Sequence, residues 1–241
     1  MVRRRARLRP PARRHHARLA GHPGQRLAEV TGGAVFADGL GELAGIRQQL
    51  RWYPDQLWWF LLACQWERIA EEEAFPGRCA EVGDDLGCRV VATRIVRDLM
   101  RLALLMERRY APYGKWLGTA FAALRAADHL GPALRGAVEV STWFEREAWL
   151  GEAYRQLAAG HNALGLTDPL DESIRTYFDR PFRVIGAGRF AAALRARITD
   201  AEIVSLPAGG AIDQLVDSTA VLTDPRRCRE VVHGAMAPRD R

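Results

Sequence analysis

Arg94, Arg97, Arg101 and Arg108 recur at offsets of three, four and seven residues. At about 100° per residue they fall within about 60° of arc on one helix face. Guanidinium groups in such a row are rigid bidentate donors, the chemistry that holds phosphates and carboxylates. Asp98 can pair with Arg94 or Arg101 at helical spacing, whereas Arg97 and Arg108 have no acid three or four residues away. The row is therefore only partly neutralised within its own helix. Just beyond it, Tyr110, Tyr113 and Trp116 surround Lys115, the single lysine of the chain. Their rings suit stacking on a base or sugar. The functional expectation is an anion clamp. The structural alternative is a solvated face, or pairing with Glu67, Glu71, Glu72 and Glu73 of the preceding helix.

Other chemistries lack their apparatus. Metal-dependent nucleotidyl transfer needs two or three carboxylates converging on Mg²⁺. Asp84 and Asp85 are adjacent and cannot both enter one site from regular structure; either suits an N-cap. Asp213 and Asp217 could share a helix face, but a cap and a surface acid are the simpler reading. The chain has no P-loop, dinucleotide fingerprint, G-x-S-x-G elbow, or Gly-Ser turn followed by an Asp-x-Asp strand. Arg155 with His161 and Arg227 with His233 fit the spacing of small metal-free ribonucleases loosely. With 34 arginines and 6 histidines in 241 residues, chance supplies about one such pair per spacing. Cys64, Cys79, Cys88 and Cys228 contain no C-x-x-C pair, so reduced, mostly buried thiols in a cytoplasm are expected, not a zinc site.

These residues need a scaffold. Asp55 to Phe75 is apolar nearly all round, which places that helix in the middle of a bundle. A second long helix spans about Asp84 to Arg109, with Val91, Ile95, Leu99, Leu102 and Met106 on its core side. Further helices are expected from about Tyr113 to Leu130, from Ala133 after a break at Gly131 and Pro132, and from about Thr142 to Leu164. Ala34 to Phe36 could be a strand or an extended arm. After Pro169 the pattern shortens: a strand at Phe182 to Ile185, a helix at Arg189 to Arg197, a short apolar piece at Ile203 to Leu206, and a last helix from about Asp224 to Met236. The fold class is mainly α, an antiparallel helical bundle with a small α+β C-terminal appendage.

Charge divides the chain. Residues 1–26 hold nine arginines and no acid, so residues 27–241 carry −3 against the +6 of the whole. The expected organisation is a basic, unstructured tail over 1–26, a helical bundle over 27–168 and an α+β appendage over 169–241 packed on it. Such a tail can bind nucleic acid without specificity. The apolar run from Leu57 to Cys64 is too short to cross a bilayer, so no membrane partner is expected.

The segments "RWYPDQLWWFLLACQWERIAEEEAFPGR", "GDDLGCRVVATRIVRDLMRLALLMERRYAPYGKWLGTAF", "RPFRVIGAGRF" and "LPAGGAIDQLVDST" resemble an uncharacterised bacterial family, the domain of unknown function 4037. That domain typically follows a nucleotidyltransferase domain in the same chain. The resemblance implies the helical, substrate-binding half of a nucleotidyltransferase-like protein. It places Arg78, Asp84, Arg94, Arg97, Tyr110, Tyr113, Lys115 and Trp116 near a cleft for a nucleotide or other anionic substrate. Mg²⁺ and a nucleoside triphosphate are implied only with a catalytic head. Here the arginine-rich residues 1–26 stand where that head should be. The head is therefore expected on a separate chain, or lost by truncation or a misplaced start, with this chain inactive alone. The rival expectation is a non-enzymatic protein-interaction module.

Overall fold

Trp58, Phe60, Leu61, Leu62, Trp66 and Ile69 give α4 (Asp55–Glu72) no broad polar face, and all are buried. The computed structural model, which describes residues 15–206 and 209–235 without the side chains of His15 and His233, builds a mainly helical fold around this element. Glu73, Ala74 and Pro76 then turn the chain into α5 (Phe75–Glu81), so Pro76 opens a new helix as well as ending the old one. From there α6 (Asp85–Met106) returns antiparallel to α4. The register is fixed along the seam: the Trp58 indole N–H donates to Leu105 O at 2.8 Å, the Gln65 amide to Asp98 O at 3.2 Å, and Arg94 meets Glu72 at 2.6 Å.

The next stretch departs from the expected single helix. After α7 (Gly114–Ala122) the backbone turns, and the Glu107 carboxylate accepts the N–H groups of Arg125 and Ala126 at 3.2 and 2.9 Å. That acceptor starts a new helix, α8 (Ala127–Glu139), which runs through Gly131 and Pro132 without a break. Pro132 removes one donor and the packed helix tolerates it; Leu130, Ala133, Leu134 and Ala137 are buried around it. Thr142 then caps α9 (Trp143–Ala163), its hydroxyl accepting from the Glu145 N–H.

Near the N-terminus, α1 (His15–Ala20) and the first three residues of α2 (Gly24–Thr31) lie within the stretch expected to be unstructured, where Ala17, Leu19 and Ala20 are buried; Leu27, just beyond it, is buried too. Residues 1–14 of the basic tail lie outside the described residues. Ala34 to Phe36 forms no strand, and Phe36 is 97% exposed. The following α3 (Glu42–Gln49) buries none of its residues. It is tethered by Arg47, which donates to Val30 O and Gly33 O at 2.9 and 3.1 Å.

A two-stranded antiparallel hairpin, β1 (Arg175–Tyr177) and β2 (Arg180–Val184), follows α9, with Arg175 opposite Val184. The Phe182 ring lies so close to Gly77 that a side chain there would collide with it. The chain then enters α10 (Gly188–Arg197), which packs antiparallel on α4: the Phe190 ring stacks on Trp66 at 4.5 Å. Phe190 and Leu194 therefore belong to the same apolar core as α4. Short helices α11 (Ala201–Val204), α12 (Ile212–Leu215) and α13 (Thr219–Leu222) and the longer α14 (Pro225–Ala235) close the fold. The Ile203 to Leu206 piece is thus the end of α11 and the turn that leaves it. Among the described residues no helix is long and apolar enough to cross a membrane.

Candidate functional site

The arginine row of α6 is consumed by neighbouring elements. Arg94 is paired with Glu72, and Arg97 reaches Asp217 at 3.6 Å. Arg101 is buried and donates to Asp213 O at 2.8 Å, while Arg68 of α4 donates to Gln214 O at 2.9 Å. Those carbonyls belong to α12, a helix too short to satisfy its own acceptors. The row thus seats the α12 turn. Asp98 pairs with Arg68 at 3.1 Å, across the α4–α6 seam, and not with Arg94 or Arg101 as helical spacing suggested. Burial, with Arg97 beside it, draws the Arg101 pKa down, and burial pushes the Asp213 carboxyl up.

The residues expected to share a cleft are spread along α6. Its 22 residues span about 33 Å at 1.5 Å each, and Asp84 and Tyr110 lie beyond opposite ends. Asp84 accepts the Gly87 N–H at 2.7 Å, an N-cap. Arg78 borders a cavity of about 250 Å³ beside the hairpin, with Tyr177 and Arg180. At the other end the Tyr110 hydroxyl donates to Leu50 O at 2.8 Å, and its ring meets Trp52 and Tyr53 at 4.8 and 5.1 Å. The Tyr113 N–H donates to Gln25 Oε1 at 3.2 Å, and its ring packs against the Ile212 and Leu222 cluster. Lys115 Nζ stands 5.5 Å from the centre of the exposed Trp116 ring.

Beside Tyr110 the structure assembles a cationic pocket that the spacing did not reveal. It measures about 370 Å³ and is lined by Arg51, Arg108, Arg109 and Tyr110 over a wall of Leu104 and Leu124. Arg108 has φ +54°, which turns the chain at the end of α6, and it is held by Asp55 at 3.0 Å and over the Trp58 ring at 4.1 Å. Arg51 and Arg109 make no ion pair or side-chain hydrogen bond among the described residues, and no carboxylate lines the pocket. A neighbouring recess bordered by Trp116 shares the Ala28 and Ala120 walls. The available signal was topological: antiparallel α4 and α6 bring the residues before Asp55 against those after Met106.

Other candidate centres are occupied by structural contacts. Among the described residues no group of three His, Cys, Asp or Glu side chains could hold a metal. Asp213 Oδ2 accepts the Gly24 N–H at 2.7 Å and Asp217 faces Arg97, so this pair does not fit a Mg²⁺ centre. His161 is 1% exposed, accepting the Trp66 indole N–H on Nδ1 at 3.2 Å and contacting Thr167 Oγ1 through Nε2 at 3.1 Å. Burial lowers its pKa to about 4. Arg155 instead pairs with Glu152 on the surface at 2.7 Å, so this pair forms no ribonuclease groove. The His233 side chain lies outside the described residues.

No curated protein and no solved structure matches the chain. Residues 20–117, which hold every residue of the cationic pocket except Ala120, Ala123 and Leu124, match the model of a family described as a domain of unknown function, DUF4037.

Proposed function

We propose that this chain is the helical binding half of a nucleotidyltransferase-like system, holding a nucleotide or similar anionic small molecule without a metal site of its own. One observation carries the reading: Arg51 and Arg109, free of counter-ions among the described residues, join Arg108 in a pocket without a carboxylate. Its volume of about 370 Å³ falls in the small-ligand range of about 300–1,000 Å³. Paired guanidinium groups suit a phosphate or carboxylate. Tyr110 offers a ring at one wall, with Trp116 and Lys115 beyond the shared recess. In this reading Mg²⁺ and the bond-making carboxylates belong to a catalytic head on a separate chain, in a reducing bacterial cytoplasm.

Arginines also suit the negative ends of α2 and α6, so the test measures binding and not stability. Titrate the chain calorimetrically with ATP, with and without Mg²⁺. Arg51→Ala and Arg109→Ala should each weaken binding about tenfold, and Arg97→Ala should leave it unchanged. No saturable binding in the parent, or equal loss in all three variants, refutes the pocket.

A second reading, a protein-interaction module, is favoured by α3, which has no buried residue, and by Phe36 and Leu40, 97% and 84% exposed. Large apolar side chains this exposed on one arm are a mark of a docking surface. Phe36→Asp with Leu40→Asp should abolish capture of a partner while sparing ATP binding.

A further inference from the structure

A second cavity, of about 620 Å³, lies between α1, the start of α2 and α14. Its floor is apolar, formed by Ala17, Leu222, Cys228 and Val232; the last three belong to a small cluster separate from the main core. Its rim is basic: Arg18, His22, Arg26 and Arg229. Arg26 is partly engaged, pairing with Glu29 at 3.2 Å and donating to Thr223 O at 3.4 Å. Arg18 and Arg229 make no ion pair or side-chain hydrogen bond among the described residues. No carboxylate among the described residues lines the groove.

These features ask for one kind of ligand. Burial first, and then the neighbouring charges of Arg18 and Arg229, push the His22 pKa down. An apolar floor ringed by such charges is unfavourable when left to water. A purely polar anion would answer the rim and leave the floor wet; a neutral hydrocarbon would do the reverse. A molecule with an apolar chain and an anionic head relieves both.

We propose that this groove binds a single-chain anionic amphiphile, a medium-length fatty carboxylate, with its chain on the Cys228 and Val232 floor and its head between Arg18 and Arg229. The site is separate from the Arg51–Arg109 pocket and does not depend on it. The two sites lie toward opposite ends of α2: Pro23 and Arg26 line the groove, while Thr31 and Gly32 line the pocket.

The test is calorimetric titration of the full chain with dodecanoate below its micellar concentration. Dodecanol and dodecyltrimethylammonium serve as probes of equal chain length. Dodecanoate should bind saturably and at least about tenfold more tightly than either. Arg18→Gln combined with Arg229→Gln should remove that preference, and Val232→Trp should fill the floor and abolish binding while the protein melts as the parent does. Saturating ATP should not displace dodecanoate. Equal binding of the three probes, displacement by ATP, or unchanged binding in a folded Val232→Trp variant would overturn the proposal.

Discussion

The Gly24 N–H donates to the Asp213 carboxylate at 2.7 Å, joining the first turn of α2 to α12 across 189 residues of sequence. Two constraints meet there. The carboxylate satisfies an open donor at a helix start, and a Cβ on Gly24 would stand 2.5 Å from Ala111 O. Asp213→Ala should therefore cost about 1–3 kcal/mol, through an orphaned N–H and the loss of negative charge beside Arg101. Gly24→Ala should cost a similar amount by steric displacement, about 1–3 kcal/mol. Urea midpoints of the two variants and their double mutant check this; the double should lose less than the sum of the singles.

Glu73 performs a comparable task inside the molecule. Its carboxylate accepts the N–H groups of Ile185, Gly186 and Ala187 at 2.9, 3.0 and 3.0 Å, fixing the turn before α10. Burial raises its pKa while the three donors pull it back. Glu73→Gln offers only one acceptor oxygen and should destabilise by about 2 kcal/mol, with Glu73→Ala costing more. Amide exchange at residues 185–187 should accelerate first.

His161 makes stability fall in mild acid. Burial holds its folded pKa at about 4, against 6.5 for the ordinary group. The unfolded chain therefore binds a proton that the folded chain refuses. The stabilisation is present in full above pH 6.5 and is lost as pH falls from there towards 4, by about 3 kcal/mol. In His161→Gln the drop in melting temperature across that window should be smaller than in the parent, whatever the starting stability.

Thiol chemistry should single out one position. Cys64, Cys88 and Cys228 are buried, and burial pushes the Cys64 thiol up to about 12. A maleimide applied to the native protein should label Cys79 alone, and all four after unfolding. Peptide mass mapping reads the result; rapid native labelling of Cys64 would contradict the packing around α4.

The long helices were legible because their apolar residues recur with the period of a turn: α4, α6 and α9 stand close to where that pattern placed them. The partners of the arginines were not. Spacing reports neighbours within a helix, so it offered Asp98 to Arg94 or Arg101, while tertiary packing gave it to Arg68. Nothing in the composition of "LPAGGAIDQLVDST" says that its carbonyls settle on Arg68 and Arg101. The three-residue β1 carries too few positions for any alternation to show, and Pro132 looked like a stop because its cost was visible and the packing that offsets it was not. Tyr110 lines the cationic pocket and Trp116 borders the recess beside it. Arg51 and Arg109 were missed because they converge only once α4 and α6 lie antiparallel.

The exposed α3 has a kinetic meaning as well. A short helix that buries none of its residues opens at little cost, so among the described residues trypsin should find its first foothold at Arg47 or Arg51. The nick would not release the N-terminal piece at once. Gly24 would still hold Asp213, and the Ala17 N–H would still hold Glu202 at 3.0 Å. The two fragments should therefore co-elute as a single particle and separate only in denaturant, behaving as a protein whose covalent continuity through this arm is dispensable.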